Sequence, residues 1–347
     1  MFVESMCVPR LRNFFFLLLI ALFTKCTTPS ERKVERGFYY WRTVYDLSAF
    51  EKEAIDKLSV KHLYIKFFDV EWEASIGEAM PVAKVIFKKD LPKVVNVIPV
   101  IYITQEVLQQ ADSSALQQLA HNINGLLKDI VTNNKISLLG EIQIDCDWTP
   151  TTKARYFFLL QQMKQTSFFK EKIISATIRL HQLKFVSENG VPPVDKGLLM
   201  CYNMGNLRIP KTKKSIIDAG VLQQYINNLE NYPLHTDIAL PIFEWWVLFH
   251  KDQYKGLLRD FDPGKQQDNK KQIRFEKDTV INGMTLGKDH WLRHETSDAL
   301  EIQRCAAVIS KKLRSTKQLS VILFHLDQRQ LSNYTLHELE TFYNSLR

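Results

Sequence analysis

The chain is poor in the residues that mark nucleotide and metal sites. It has 12 glycines among 347 residues, and none sits in a phosphate-cradling loop or a dinucleotide fingerprint. In such sites backbone must approach phosphate closely, which glycine permits. The 5 cysteines and 9 histidines show no zinc-ligand spacing, so neither a metal nor a cofactor is expected. Lys and Arg outnumber Asp and Glu, 46 to 38, but they are scattered. The longest basic patch, Lys211-Thr212-Lys213-Lys214, is too short to track a phosphate backbone, and no nucleic-acid partner is expected. The longest unbroken apolar run, Phe14 to Phe23, is too short to span a bilayer and has the length of an export-signal core.

Arg10 and Arg12 precede that run, and Cys26 follows it. Thr27-Thr28-Pro29-Ser30 then reads as a polar tether. Residues 1–26 resemble a bacterial lipoprotein signal, in which the cysteine is lipidated and becomes the mature N-terminus. The resemblance implies an exported chain held by a lipid on Cys26 to the membrane of the bacterial cell envelope, in the periplasm or facing outward. Lys25 departs from the small residue usual at that position. A secretory signal cut nearby, or an uncleaved anchor, is the alternative. Cys146, Cys201 and Cys305 are an odd number in strand-like or helix-like segments, so buried free thiols are expected rather than a disulfide framework.

Beyond the tether (27–36), strand-like and helix-like patterns alternate. Strands are expected at 37–45, 62–68, 97–104, 141–147, 172–180, 197–202, 237–243 and 319–325. Helical periodicity lies between them, and Ser48 with Glu51 has capping-box spacing. Eight such strands predict an α/β fold: a closed (β/α)8 TIM barrel over 37–347, a single domain. Residues 251–297, rich in charge and in turn signals such as Asp262-Pro263-Gly264, read as an insertion after strand seven.

One face of each strand must be apolar to meet the outer helices. In 172–180 that face is Ile174, Ala176, Ile178 and Leu180, which turns Ser175, Thr177 and Arg179 inward. The same alternation puts Arg42, Lys66, Asp145, Asp147, Arg179 and His325 in the interior, and Asp327 on the His325 face. Buried charges need partners, so Lys66 and Arg179 are expected to neutralise Asp145. Asp147 lies nearer the C-terminal mouth, where barrel active sites sit. Tyr202, Glu244, Trp245 and Trp246 also fall at strand ends, where aromatic faces suit sugar rings and carboxylates suit their hydroxyls. Asp147 and Glu244 are the candidate pair of glycosidase carboxylates. Asp145 would tune Asp147 by like-charge proximity. Arg42, Arg179, Tyr202, Trp245, Trp246 and Asp327 are the candidate ligand-binding residues.

The segment Ile142-x-x-Asp145-x-Asp147-Trp148 resembles the fourth-strand signature of family 18 chitinases. Tyr202-Asn203-Met204 and Leu240-Pro241-Ile242-Phe243-Glu244-Trp245 resemble their sixth-strand and seventh-strand segments. The signature's general acid is a glutamate two residues after the last aspartate. Here that residue is Thr149, which has no carboxylic proton to give. Tyr39-Tyr40-Trp41-Arg42 and Tyr202-Asn203-Met204-Gly205 are also similar to uncharacterised bacterial barrel proteins related to glycosidases. Two readings follow from the resemblance. One is a glycoside hydrolase acting through Asp147 and Glu244. The other is a non-catalytic barrel lipoprotein that binds a glycan or a protein partner.

Overall fold

The computed structural model describes residues 1–2, 32–93, 95–136, 140–259, 261, 271–281, 283–314, 316 and 318–347. Cys26 and the rest of the expected signal core lie outside the described residues. Among the described residues, no helix is long and apolar enough to cross a membrane.

Eight strands close into a parallel barrel: β1 (Lys33–Tyr40), β2 (His62–Glu73), β3 (Asn96–Ile103), β4 (Glu141–Cys146), β5 (Ile173–Arg179), β6 (Lys196–Met200), β7 (His235–Pro241) and β8 (Gln318–Phe324). Each pairs in parallel with the next, and β8 pairs with β1 to complete the ring. With helices between the strands, this is the (β/α)8 barrel that the alternating pattern predicted. The period-2 reading holds best in β4 and β5. Ile142, Ile144, Ile174, Ala176 and Ile178 are buried in the hydrophobic core, while Gln143, Asp145, Ser175 and Thr177 are buried polar groups on the opposite face. The outer helices follow their own period. Helix Ser113–Asn133 buries Leu116, Leu119, Ala120, Ile123 and Leu127, one stripe at spacings of three and four, and Asp112 caps it by accepting from Ala115 N at 2.8 Å.

Strand one differs from expectation. It starts at Lys33 and ends at Tyr40, because Lys33 to Phe38 pair with Gln318 to Leu323. The inward face is also the other one. Tyr39 OH donates across the barrel to Gln143, whereas Tyr40 OH bonds Val44 O at 2.8 Å. Arg42 therefore lies past the strand end, at the mouth. Strand eight is likewise turned by one residue: Phe324 meets Tyr39 and Tyr202, each at a ring-centroid distance of 5.4 Å. A one-residue slip exchanges the two faces of a strand, and an aromatic-rich or all-apolar strand does not reveal which face is which.

Strand β2 also runs further than expected, to Glu73, and folds back through an antiparallel pairing with Glu78–Val82. After β7 the chain leaves the barrel for an antiparallel sheet of Gln253–Leu258, Glu244–His250, His290–Thr296 and Gln272–Arg274. This sheet begins at Glu244, before the expected boundary at 251. Its first strand separates the two tryptophans by simple alternation. Trp245, Val247 and Phe249 join the main core, while Trp246 packs in a second core with Phe261, Ile273 and Leu292.

Candidate functional site

Two layers of polar side chains fill the barrel axis. The lower layer centres on Lys196, whose Nζ lies 2.7 Å from Glu141 Oε2 and 2.7 Å from Asp237 Oδ2. Ser175 Oγ donates to Glu141 at 2.6 Å, and Ser320 N donates to Asp237 at 2.7 Å. Burial alone would raise the Asp237 carboxyl. Lys196, His235 and the Ser320 amide outweigh it and hold the group at about 2. Lys196 was outside the expected sixth strand, and nothing in its local sequence announces two buried acids from other strands.

The upper layer holds the predicted residues in different pairings. Lys66 Nζ bonds Asp69 at 2.7 Å, not Asp145. Arg179 grips Asp147 with two nitrogens, Nε and Nη2, the latter at 3.0 Å. This fork geometry fixes both carboxylate oxygens. Burial lowers the Arg179 guanidinium, but Asp147 and Asp145 together raise it above its ordinary value. Asp145 receives the Thr177 hydroxyl at 2.6 Å. Burial, with Asp147 adding, pushes its carboxyl up to about 6 against the pull of Arg179. Like-charge proximity between the two aspartates thus adds to burial in raising Asp145.

Several residues without a sequence signal set this geometry. Gln182 Oε1 accepts from Arg179 N at 2.7 Å, and its amide donates to Trp148 O at 2.9 Å. Gln105 donates to the Asp147 carbonyl. Trp148 is fully buried, stacks on Tyr156 at 5.1 Å, and donates Nε1 to Asn189 O at 3.0 Å. The loop carrying Asp147 is thereby pinned from both sides. The Thr149 hydroxyl joins a hydroxyl cluster, 2.9 Å from Thr151 Oγ1 and 3.2 Å from Thr152 Oγ1, and Thr149 N donates to Thr152 Oγ1 at 3.0 Å.

Glu244 is equally occupied. His294 Nε2 lies 3.1 Å from one oxygen and Arg329 Nη2 3.4 Å from the other. The His294 bond, opposed by burial and helped by Arg329, lowers its carboxyl. Glu244 is thus a held carboxylate and a poor proton donor. Arg42 pairs with Glu51 at 2.7 Å and approaches Asp327 at 3.7 Å. Glu51 is the capping-box residue of helix Ala49–Lys57, accepting from Ser48 N at 2.8 Å while Glu51 N donates to Ser48 Oγ at 3.2 Å. The cap legible in the sequence also anchors the cleft wall.

These groups open into one cleft of about 830 Å³ at the C-terminal ends of the strands. Asp145, Asp147, Arg179, Tyr202, Glu244, Trp245, Arg42 and Asp327 all line it, as do Trp41, Tyr102, Phe243, Phe324 and His325. Trp246 does not. It is buried in the second core, stacked on His294 at 4.3 Å, because its side chain leaves the strand opposite to Trp245. A second cavity of about 370 Å³ shares Asp147, Arg179, Tyr202 and Asn203 with the first and continues past Thr149 and His181. Burial lowers the His181 imidazole below its ordinary value. Gly205 closes the mouth segment: a Cβ there would meet Lys214 O at 2.4 Å, so the chain crossing at this point needs glycine. Cys146, Cys201 and Cys305 are buried free thiols.

No family model matches the chain, and no curated protein matches it. Solved structures do. The C-terminal domain of a putative chitinase from Desulfitobacterium hafniense matches with a TM-score of 0.55 at 12% identity, covering 91% of this chain and 100% of that one. The GH18 chitinase ChiB from the chitin utilization locus of Flavobacterium johnsoniae gives a TM-score of 0.52 at 15% identity, covering 91% and 94%. The spore cortex-lytic enzyme SleL of Bacillus cereus gives 0.54 at 11%, covering 91% and 75%. At such low identities the likeness establishes a shared (β/α)8 barrel fold.

Proposed function

We propose that this barrel binds a glycan in its upper cleft and does not cleave it by the carboxylic-acid route of family 18 chitinases. The observation that carries this reading is the two-nitrogen clasp of Arg179 on Asp147, beside a threonine where that family's acid belongs. A glycosidase needs one protonated carboxyl positioned at the leaving oxygen and a second group opposite it. Here Asp147 and Glu244 are both held by cations, and Asp145 is buried beneath the clasp. Binding remains well served. The cleft combines aromatic walls with polar groups, the usual composition of a carbohydrate or small-ligand site. Tyr202 OH and Trp245 Nε1 are buried donors on its wall without a hydrogen-bond partner among the described residues. The neighbouring folds belong to proteins described as chitinases and a cortex-lytic enzyme, which supports glycan as the ligand class.

The test is a glycan screen followed by calorimetry and product chromatography. The wild type is expected to bind without releasing new sugar ends. Tyr202→Phe keeps the ring and is expected to weaken binding by about 3- to 10-fold, the worth of one hydrogen bond. Turnover by the wild type that Asp147→Asn abolishes would overturn the non-hydrolytic reading. Failure of every glycan to bind would overturn binding itself.

Export and anchoring through Cys26 belong to the same proposal and rest on the sequence of residues 1–26. Metabolic labelling with palmitate in a bacterial host is expected to mark the wild type and to leave Cys26→Ala unlabelled in the soluble fraction. Equal membrane retention of both forms would reject the lipid anchor.

A further inference from the structure

Building on the glycan-binding reading, we infer that the preferred ligand is an acidic glycan whose carboxylate is received by Arg259, supplied to the cleft by the inserted sheet. The argument begins with which lining groups are already engaged. Asp69 is engaged by Lys66, Asp147 by Arg179, Glu244 by His294 and Arg329, and Asp327 lies against Arg42. Asp145 is buried and receives the Thr177 hydroxyl. Arg259 follows strand Gln253–Leu258, is exposed, lines the same cleft, and forms no ion pair or hydrogen bond with the described residues. Among the described residues it is a guanidinium without a carboxylate partner, in a cleft where Arg42, Lys66 and Arg179 each have one.

The unmatched polar atoms point the same way. Among lining side chains, the buried donors Arg42 Nε, Trp245 Nε1 and Tyr202 OH have no partner among the described residues. Asp69 Oδ1 is the unmatched carboxylate oxygen of the same lining. A neutral sugar offers hydroxyls that both donate and accept. A carboxylate only accepts, and it presents about four lone-pair sites to donors. Among the described residues the cleft has more unmatched donors than acceptors, together with the unpaired Arg259, and this complements an acceptor-rich anionic sugar better than a neutral one. The carboxylate could belong to the ring, as in a uronic acid, or hang from it, as in a lactyl-substituted amino sugar. Both present the same group to Arg259.

The experiment uses the full chain and matched ligand pairs. Oligouronates and lactyl-bearing aminosugar strands are each titrated beside their carboxyl-reduced, neutral forms. The acid form of one series is expected to bind about tenfold more tightly than its neutral form, the scale of one charge-assisted hydrogen bond. Raising the salt concentration should narrow that gap, since the arginine is exposed. R259Q is expected to abolish the preference, the acid form falling to the affinity of the neutral form, while leaving the unfolding midpoint unchanged. The series that shows the preference identifies the carboxylate source. Equal binding of acid and neutral forms, or a preference that survives in R259Q, overturns the assignment and leaves glycan binding standing. No binding by any of these ligands overturns the assignment, and together with failure of every glycan in the screen it overturns glycan binding itself.

Discussion

Lys196→Met is expected to lower folding stability by about 3–5 kcal/mol at pH 7, the usual cost of removing one partner from a buried ion cluster. The reason is the company Lys196 keeps. Lys196 opens β6, Asp237 comes from the adjacent β7 and Glu141 from β4, two strands away, and each acid lies 2.7 Å from the ammonium. Methionine fills the volume but leaves two acids facing each other in the barrel floor. Denaturant unfolding at several pH values checks both size and sign. In the wild type, Asp237 is held at about 2, below its ordinary 3.8. Its contribution is therefore fully present above pH 4 and lost as pH falls through 2. Without Lys196, burial dominates and the sign reverses: the variant gains stability as the acids protonate. Adding Glu141→Gln and Asp237→Asn to Lys196→Met should recover part of the loss. A loss under about 1 kcal/mol at pH 7, with an unchanged pH profile, would show that the cluster is not the electrostatic keystone described.

Asp145→Asn is expected to stabilise the protein above pH 6. Burial raises the Asp145 carboxyl first, Asp147 adds to it, and the group sits at about 6 against an ordinary 3.8. The native state therefore holds this proton more tightly than the unfolded chain does. The associated stability is complete below pH 4 and is lost as pH rises through 6. A shift of that size corresponds to about 3 kcal/mol. Asparagine keeps the Thr177 contact, removes the charge, and should flatten the slope between pH 4 and 6. The measurement is unfolding free energy at pH 4, 6 and 8 for both proteins. Parallel profiles would mean that Asp145 is accommodated without cost. A stabilising substitution at a cleft residue would mark a position retained for binding rather than for folding.

Much of the architecture was legible because it rests on short-range rules. Alternation in 172–180 and 141–147 set which side chains of β4 and β5 face inward, since a strand has only two faces. Ser48 and Glu51 announced a capping box, and the structure has it. The same rules were silent where both faces look alike. Tyr39-Tyr40-Trp41 is aromatic throughout, so the inward face of β1 was assigned one residue off. Trp245 and Trp246 were grouped as mouth aromatics because the inserted strand was taken for the end of strand seven. Pairing was the least legible. Lys66 was expected at Asp145 and is found on Asp69, three residues along its own strand. Arg179 was expected on Asp145 and clasps Asp147 instead.

By itself, then, the sequence determined the barrel, the inward set of acids on β4 and the absence of a glutamate at 149. These follow from local periodicity and residue chemistry, which no neighbour can alter. Only the tertiary structure decided which charge meets which. That choice depends on strand register around a closed ring, where shifts of a few ångströms move an arginine from one carboxylate to the next. The chemistry of the cleft follows from these placements: Asp147 is clasped by Arg179, Asp145 is raised by burial, and Glu244, carried by the inserted sheet, is held by His294 and Arg329.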